Sequence, residues 1–155
     1  MNRWESLEKK ESHPGKPLAI HINEVKNNLM KLLNFYNIPN DFLEIAKYIA
    51  EYHDIGKLDE KWNIKNKNNP DHSPLSIKYI MTEFKKIFES KKDITPILWY
   101  LILKHHSSLT KIVKEPYLQY LIGEVENRIQ NLEFAYKINL IDSFGLFKIA
   151  DVCSA

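Results

Sequence analysis

Apolar residues recur every three or four positions through almost the whole of this chain, and no stretch alternates apolar and polar residues as a half-buried strand would. That period predicts an all-α fold, a helical bundle whose stripes face a common core. Leu18, Ile22, Val25, Leu29, Leu32 and Leu33 form the first stripe, which closes near Asn37-Ile38-Pro39-Asn40. Asp41 with Glu44 reads as a capping box for a second helix with the face Phe42, Ile45, Ala46 and Ile49, and Gly56 as its stop. Lys61 to Asp71 is rich in Asn and Lys and carries Asn69-Pro70, which predicts an exposed loop. Ser73-Pro74 predicts an N-cap and first helical residue ahead of Leu75, Tyr79, Ile80, Phe84, Ile87 and Phe88. Thr95-Pro96 repeats that signal before Ile97, Leu98, Leu101 and Ile102, in a helix that runs into His105-His106. Another helix begins near Pro116 and carries Leu118, Leu121, Ile122, Val125, Ile129 and Leu132; a last one holds Phe144, Phe147 and Asp151.

At 155 residues and 44% hydrophobic content, the expectation is one domain over residues 1–155 with a core that needs no staples. The one cysteine, Cys153, rules out an intrachain disulfide, suits a reducing cytoplasm, and is expected to be a buried small residue. No signal sequence or membrane-length apolar run is visible, so the expectation is a soluble cytoplasmic protein. A net charge of +2 does not by itself mark a nucleic-acid binder. Lys57, Lys61, Lys65 and Lys67 do cluster around Trp62, and such a loop would either hold a phosphate backbone and stack a base or simply be solvated. Neither a P-loop nor a dinucleotide-binding glycine pattern is present.

The polar residues that continue the apolar stripes carry the chemistry. His53 lies four residues after Ile49, Asp54 four after Ala50, His105 four after Leu101, His106 four after Ile102, Asp151 four after Phe147, and His21 four before Val25. Residues four apart share a helix face, so these groups point inward or along the edge of the core. One inward histidine is usually a hydrogen-bonded core residue. Several imidazoles and two carboxylates buried together would cost several kcal/mol, roughly, unless divalent cations satisfied them jointly. The spacing matches no structural zinc module and no zincin. Mixed His and Asp ligands suit Mn, Fe, Co, Ni or Zn better than Mg or Ca. His72 lies just ahead of the expected Ser73 cap, and His13, in Ser12-His13-Pro14-Gly15, is expected to be a surface residue.

The order Leu18-x-x-His21-x-x-x-Val25, His53-Asp54-Ile55-Gly56-Lys57, His72, His105-His106 and Ala150-Asp151 resembles the HD superfamily of metal-dependent phosphohydrolases. More narrowly it is similar to the HD nuclease domain of the CRISPR-associated Cas-three proteins of type I systems, in its separate, helicase-free form. The likeness runs from Leu18 to Asp151. It implies an HD-domain bundle with two divalent transition-metal ions, Mn, Ni, Co or Fe before Mg. His21, His53, Asp54 and Asp151 would bind one ion, and Asp54 as a bridge with His72, His105 and His106 the other. Asp54 and Lys57 would be catalytic, with Lys57 at the scissile phosphate and Lys61 and Trp62 as further substrate contacts.

The activity implied is hydrolysis of single-stranded DNA in CRISPR interference, with an ATP-dependent helicase and an RNA-guided surveillance complex as partners. Two departures stand out. Ser107-Ser108 replaces the glycine common after the His-His pair, and four residues follow Asp151, so the chain is either a whole domain or the metal-binding core of a longer one. The His21, His53, Asp54 and Asp151 set would also serve a nucleotide phosphohydrolase or phosphodiesterase. A reading of another class is a non-catalytic helical module that binds nucleic acid or protein.

Overall fold

A computed structural model describes residues 3–66, 70–83, 85–89, 95–106, 116–131 and 133–155. Lys67, Asn69, Phe84, Ser107, Ser108 and Leu132, which enter the sequence reading, lie outside the described residues, as do the side chains of Ile87, Phe88, Leu118, Leu121 and Ile129. The described residues form an all-α bundle. Helices α2 (Leu18–Phe35), α3 (Asp41–Tyr52) and α8 (Phe134–Cys153) pack on one another as its frame. Helices α4 (His72–Thr82), α5 (Lys85–Glu89), α6 (Thr95–Lys104) and α7 (Pro116–Gln130) extend it, and a 3-10 turn, Ile55–Leu58, lies between α3 and α4. The stripes expected from the sequence meet in one core: Leu18, Ile22, Val25, Leu29 and Leu33 from α2, Phe42, Ile45 and Ile49 from α3, Leu98 and Ile102 from α6, Phe147 and Ala150 from α8. No helix of the described residues is long and apolar enough to cross a membrane.

Ahead of α2 lie two elements that the apolar period does not announce. Helix α1 (Arg3–Lys9) buries Leu7 completely, and a two-stranded antiparallel ribbon follows, β1 (Glu11–His13) and β2 (Lys16–Pro17). Gly15 supplies the left-handed turn between the strands at φ +77. A ribbon this short has no room for the alternation by which strands are read. Helix α2 ends on Asn37 in the left-handed conformation, φ 54, with the Ile38 N–H donating to the Leu33 carbonyl at 3.0 Å.

Three boundary expectations need correction. The Asp41/Glu44 capping box is absent as such, because Asn40 already has helical φ and ψ and is itself the N-cap. The first amides are taken by backbone instead, Phe42 N–H on the Pro39 carbonyl and Leu43 N–H on the Asn40 carbonyl, both at 3.0 Å. Asp71, not Ser73, caps α4: its extended backbone lets Oδ1 accept the Ser73 N–H at 3.0 Å, which moves His72 into the first helical turn. Gly56 is not the stop of α3, which ends at Tyr52; it lies inside the 3-10 turn, where a Cβ would overlap the His72 carbonyl oxygen and come 2.5 Å from Ser76 N. The glycine lets two backbones touch, and the Gly56 N–H donates to Ser76 Oγ at 2.8 Å. Cys153, expected to be buried, is exposed: on the last turn of α8 the inward positions are Ala150 and Ser154, and residues 152 and 153 face out.

Candidate metal centre

Five of the helix-borne side chains converge because each sits where an inward stripe reaches a helix end or a crossing. His21 is in the first turn of α2, His53 directly follows α3, His72 opens α4, His105 directly follows α6, and Asp151 is in the last turn of α8. His21, His53, Asp54 and His105 are buried; His72 and Asp151 are half-buried and His106 is exposed. Their candidate ligand atoms form two groups, each within a span of 4.8 Å: His21, His53 and Asp54, and Asp54, His72, His105 and His106.

Asp54 divides its carboxylate between them. Oδ2 faces the first group, 3.3 Å from His21 Nε2 and 3.7 Å from His53 Nε2. Oδ1 faces the second, 2.8 Å from His72 Nε2 and 3.5 Å from His105 Nε2. Asp151 stands outside both tight groups yet joins the first from the side, its Oδ1 3.2 Å from His21 Nε2 and 3.4 Å from His53 Nε2. In the second group His106 Nε2 and His72 Nε2 are 2.8 Å apart.

Two observations test whether such groups fit metal ions. Asp54 Oδ1 and His105 Nε2 are buried and are met only by one another, 3.5 Å apart, and by His72 Nε2, 2.8 Å from Oδ1, a crowding of candidate ligand atoms that a shared cation would satisfy. The ring orientations agree. His21 Nδ1 donates to the Ser154 carbonyl at 2.9 Å, His53 Nδ1 to that of Ala50 at 3.0 Å, and His105 Nδ1 to that of Ile102 at 2.5 Å. A proton held at Nδ1 leaves the Nε2 lone pair aimed at the centre, the outer bond that metal-ligating imidazoles generally make. The separations from 3.2 to 3.7 Å around His21 and His53 are close to the edge, about 3.4 Å, of a tetrahedron whose corners lie about 2.1 Å from a metal. The buried His and Asp groups can therefore hold a metal ion.

The electrostatics follow the same division. Burial pushes the His21 imidazole down, but Asp151 and Asp54 beside it outweigh that and raise it to about 9. Burial pushes the Asp54 carboxyl up, and the surrounding His53, His105, His21 and His72 outweigh that and hold it well below the usual carboxylate range. Asp151 is likewise lowered, burial being outweighed by His21 and His53. His105 is lowered chiefly by burial, and His106 is lowered to about 3 by burial, His105 and His72.

Lys57 is buried, its Nζ 2.6 Å from Asp54 Oδ2 and 3.3 Å from the Ser12 carbonyl oxygen. Trp62 corrects the expectation of a wholly exposed loop. Lys61, Asn63 and Lys65 are exposed, but the indole is turned in, 5.5 Å from Lys57 Nζ and 6.2 Å from the His72 ring, as a wall of the centre instead of an open stacking platform. Sequence reasoning missed His13. Expected at the surface, it is half-buried with its ring 4.9 Å from that of His21, because the ribbon folds β1 back against the start of α2. Its one advance signal is the Pro14-Gly15 turn four residues before Leu18, which returns the chain toward α2. Comparison of the chain with models of known protein families, with curated proteins and with solved structures finds no match.

Proposed function

We propose that this chain is a two-metal phosphodiester hydrolase that cuts single-stranded DNA, the reading implied by its resemblance to the HD nuclease domain of the Cas-three proteins. What supports it most is the split of the Asp54 carboxylate, one oxygen toward each ligand group, which is what a bridge between two ions requires. His21, His53 and Asp151 would hold one ion with Asp54, and His72, His105 and His106 the other. A pair of divalent ions, when bound, supplies an activated water and neutralises charge on phosphate oxygens. Asp54 keeps its carboxylate ionised at any pH of interest and so remains a ligand on both sides. Lys57 offers an ammonium beside the same carboxylate, a donor for charge that builds on phosphate, and Trp62 covers that ammonium and limits its access to water. His106, the exposed member, marks the side from which a substrate strand would enter. Mn, Ni, Co or Fe suits this nitrogen-rich set better than Mg. An ATP-dependent helicase would supply the single strand, and an RNA-guided surveillance complex the target, in type I CRISPR interference.

The test is cleavage of circular single-stranded DNA with Mn, Ni, Co or Mg, with Asp54→Ala as control and nucleotides assayed alongside. Cutting of the circle that Asp54→Ala abolishes is the expected result. Hydrolysis of a nucleotide with the circle left intact would replace this reading with a nucleotide phosphohydrolase. Metal bound with no turnover of either would favour a binding module. Lys57→Ala should lower turnover by about a hundredfold, in the range of a lost oxyanion donor, with metal content unchanged by elemental analysis.

A further inference from the structure

We infer that His13 is a substrate-contacting residue of this centre, donating a hydrogen bond from Nε2 to a non-bridging oxygen of a phosphate held beside His21 and Lys57. The chain has six histidines, and five of them fall in the two ligand groups. The sixth, His13, belongs to neither group, yet its ring stands edge-on to His21 at 4.9 Å. A histidine placed only by chance on a surface ribbon has no reason to end there.

The ribbon is anchored so that it presents this side chain in a fixed place. The Leu18 N–H donates to the Lys10 carbonyl at 2.7 Å, which ties the start of α2 back to the entry of the ribbon. Lys16, on the second strand, donates to the Ser154 carbonyl and to Glu24, each at 2.7 Å. Ser154 O is the same carbonyl that orients His21, so the ribbon and a metal-facing imidazole share one anchor. On the first strand, the Ser12 carbonyl accepts from Lys57 Nζ at 3.3 Å. His13 is thereby held against the ligand ring, one residue along from the carbonyl that receives the ammonium.

The ring's own bonding selects the nitrogen that faces substrate. Ser12 Oγ lies 3.0 Å from His13 Nδ1; with the hydroxyl donating there, the ring proton sits on Nε2, the atom farther from the backbone. A protonated ring would also donate from Nε2, so the contact does not depend on titration. His21, Lys57, Asp54 and Asp151 are the charged or titratable groups that act on the ring. Among these Lys57 is a further donor, so a phosphate oxygen between Lys57 Nζ and His13 Nε2 would receive two hydrogen bonds from this chain. Ser12 joins the two donors, its hydroxyl lying against His13 Nδ1 and its carbonyl accepting from Lys57 Nζ.

This inference rests on the phosphate chemistry proposed above, and its test reads binding and not turnover. Inorganic phosphate is titrated calorimetrically into the Mn-loaded full chain, wild type, His13→Ala and His13→Gln, with Mn content measured for each. His13→Ala is expected to weaken phosphate about tenfold or more, the usual worth of a hydrogen bond to a charged group, at unchanged Mn content. His13→Gln, whose amide also donates, is expected to recover most of the loss. Phosphate affinity unchanged in His13→Ala, or no binding by wild type, overturns the inference. So does a Gln variant as weak as Ala, or loss of Mn with the substitution, which would make His13 a support for the ligands. A wild type that binds phosphate through His13 but cleaves no DNA would remove the nuclease reading and leave this contact standing.

Discussion

The two ligand groups share one carboxylate and differ in almost everything else. The group of His21, His53 and Asp54 is buried and comes from the long helix α2 and the two residues that directly follow α3, with Asp151 of α8 beside it. The group of His72, His105 and His106 comes from the first residue of α4 and the residues following α6, and it reaches solvent at His106. The first is set by the frame of the bundle, where rings are fixed by carbonyls of α3 and of the chain's end. The second is set by how two helix ends meet, which depends on a few local contacts. One centre thus joins a closed half that the core determines to an open half that a small displacement would disturb.

Asp54→Ala is the largest blow to this arrangement, because it removes the group common to both halves. It should abolish binding of every metal ion and, by leaving buried Lys57 and the imidazoles without their counter-charge, cost about 3–5 kcal/mol of stability by denaturant unfolding. Retention of one equivalent of metal would show that the halves are independent and that Asp54 is not a bridge. Gly56→Ala separates them. Its Cβ meets backbone of α4, which cannot yield cheaply, so α4 must shift and take His72 with it. The expected result is destabilisation of about 1–3 kcal/mol, with loss of metal from the open half and retention in the closed half. Equal loss from both would contradict the division.

Single-ligand substitutions give a finer comparison. His53→Ala strips a completely buried ligand and leaves a cavity; His72→Ala removes a half-buried one at the rim. We expect His53→Ala to lower metal affinity by about a hundredfold or more, and His72→Ala to lower it less while leaving one ion tightly held, as read by competitive titration against a chelator. If His72→Ala proves the more damaging, the open half is the tighter one and the contrast drawn from burial fails.

How much of this is legible in the sequence follows the same line. The closed half is readable because His21, His53 and Asp151 continue apolar stripes on long helices, and stripe position predicts burial there. The open half is less so: with Ser73 as N-cap, His72 would stand outside the helix, whereas the Asp71 cap puts it in the first turn, and both residue types cap well. Gly56 illustrates a second limit. A glycine after a helix has the same letter whether it ends that helix or admits another backbone, and only the tertiary approach of α4 decides. His13, Trp62 and α1 lie in short or polar segments with no periodicity to read, so their burial comes from packing between neighbouring elements, His13 on His21, Trp62 on Lys57 and His72, and α1 on α2. Cys153 fails for a related reason, since a small apolar residue at a helix end can face either way.

The smallest predicted effect lies in how the two halves hold protons when metal is stripped away. His21, between two carboxylates, is raised to about 9, and His106, crowded by burial and by other imidazoles, is lowered to about 3; in the unfolded chain both titrate near the ordinary imidazole value of 6.5. The folded protein therefore binds the His21 proton more tightly than the unfolded one. That stabilisation is complete below 6.5 and is lost as pH rises through 9. For His106 the folded state refuses a proton that the unfolded state accepts, so stability is lost as pH falls below 6.5. Thermal unfolding in chelator should show a maximum near neutral pH with two flanks of separate origin. His21→Gln should flatten the alkaline flank between 7 and 9 and His106→Gln the onset of the acid flank, while the lowered carboxyls of Asp54 and Asp151 steepen it only below their ordinary value of 3.8. Saturating metal should suppress the alkaline flank in wild type, since uptake at pH 7 to 8 displaces the His21 proton and would be seen as proton release in a weakly buffered titration. An alkaline flank that survives His21→Gln would place its source outside the closed half and break the correspondence between burial and proton affinity on which the comparison rests.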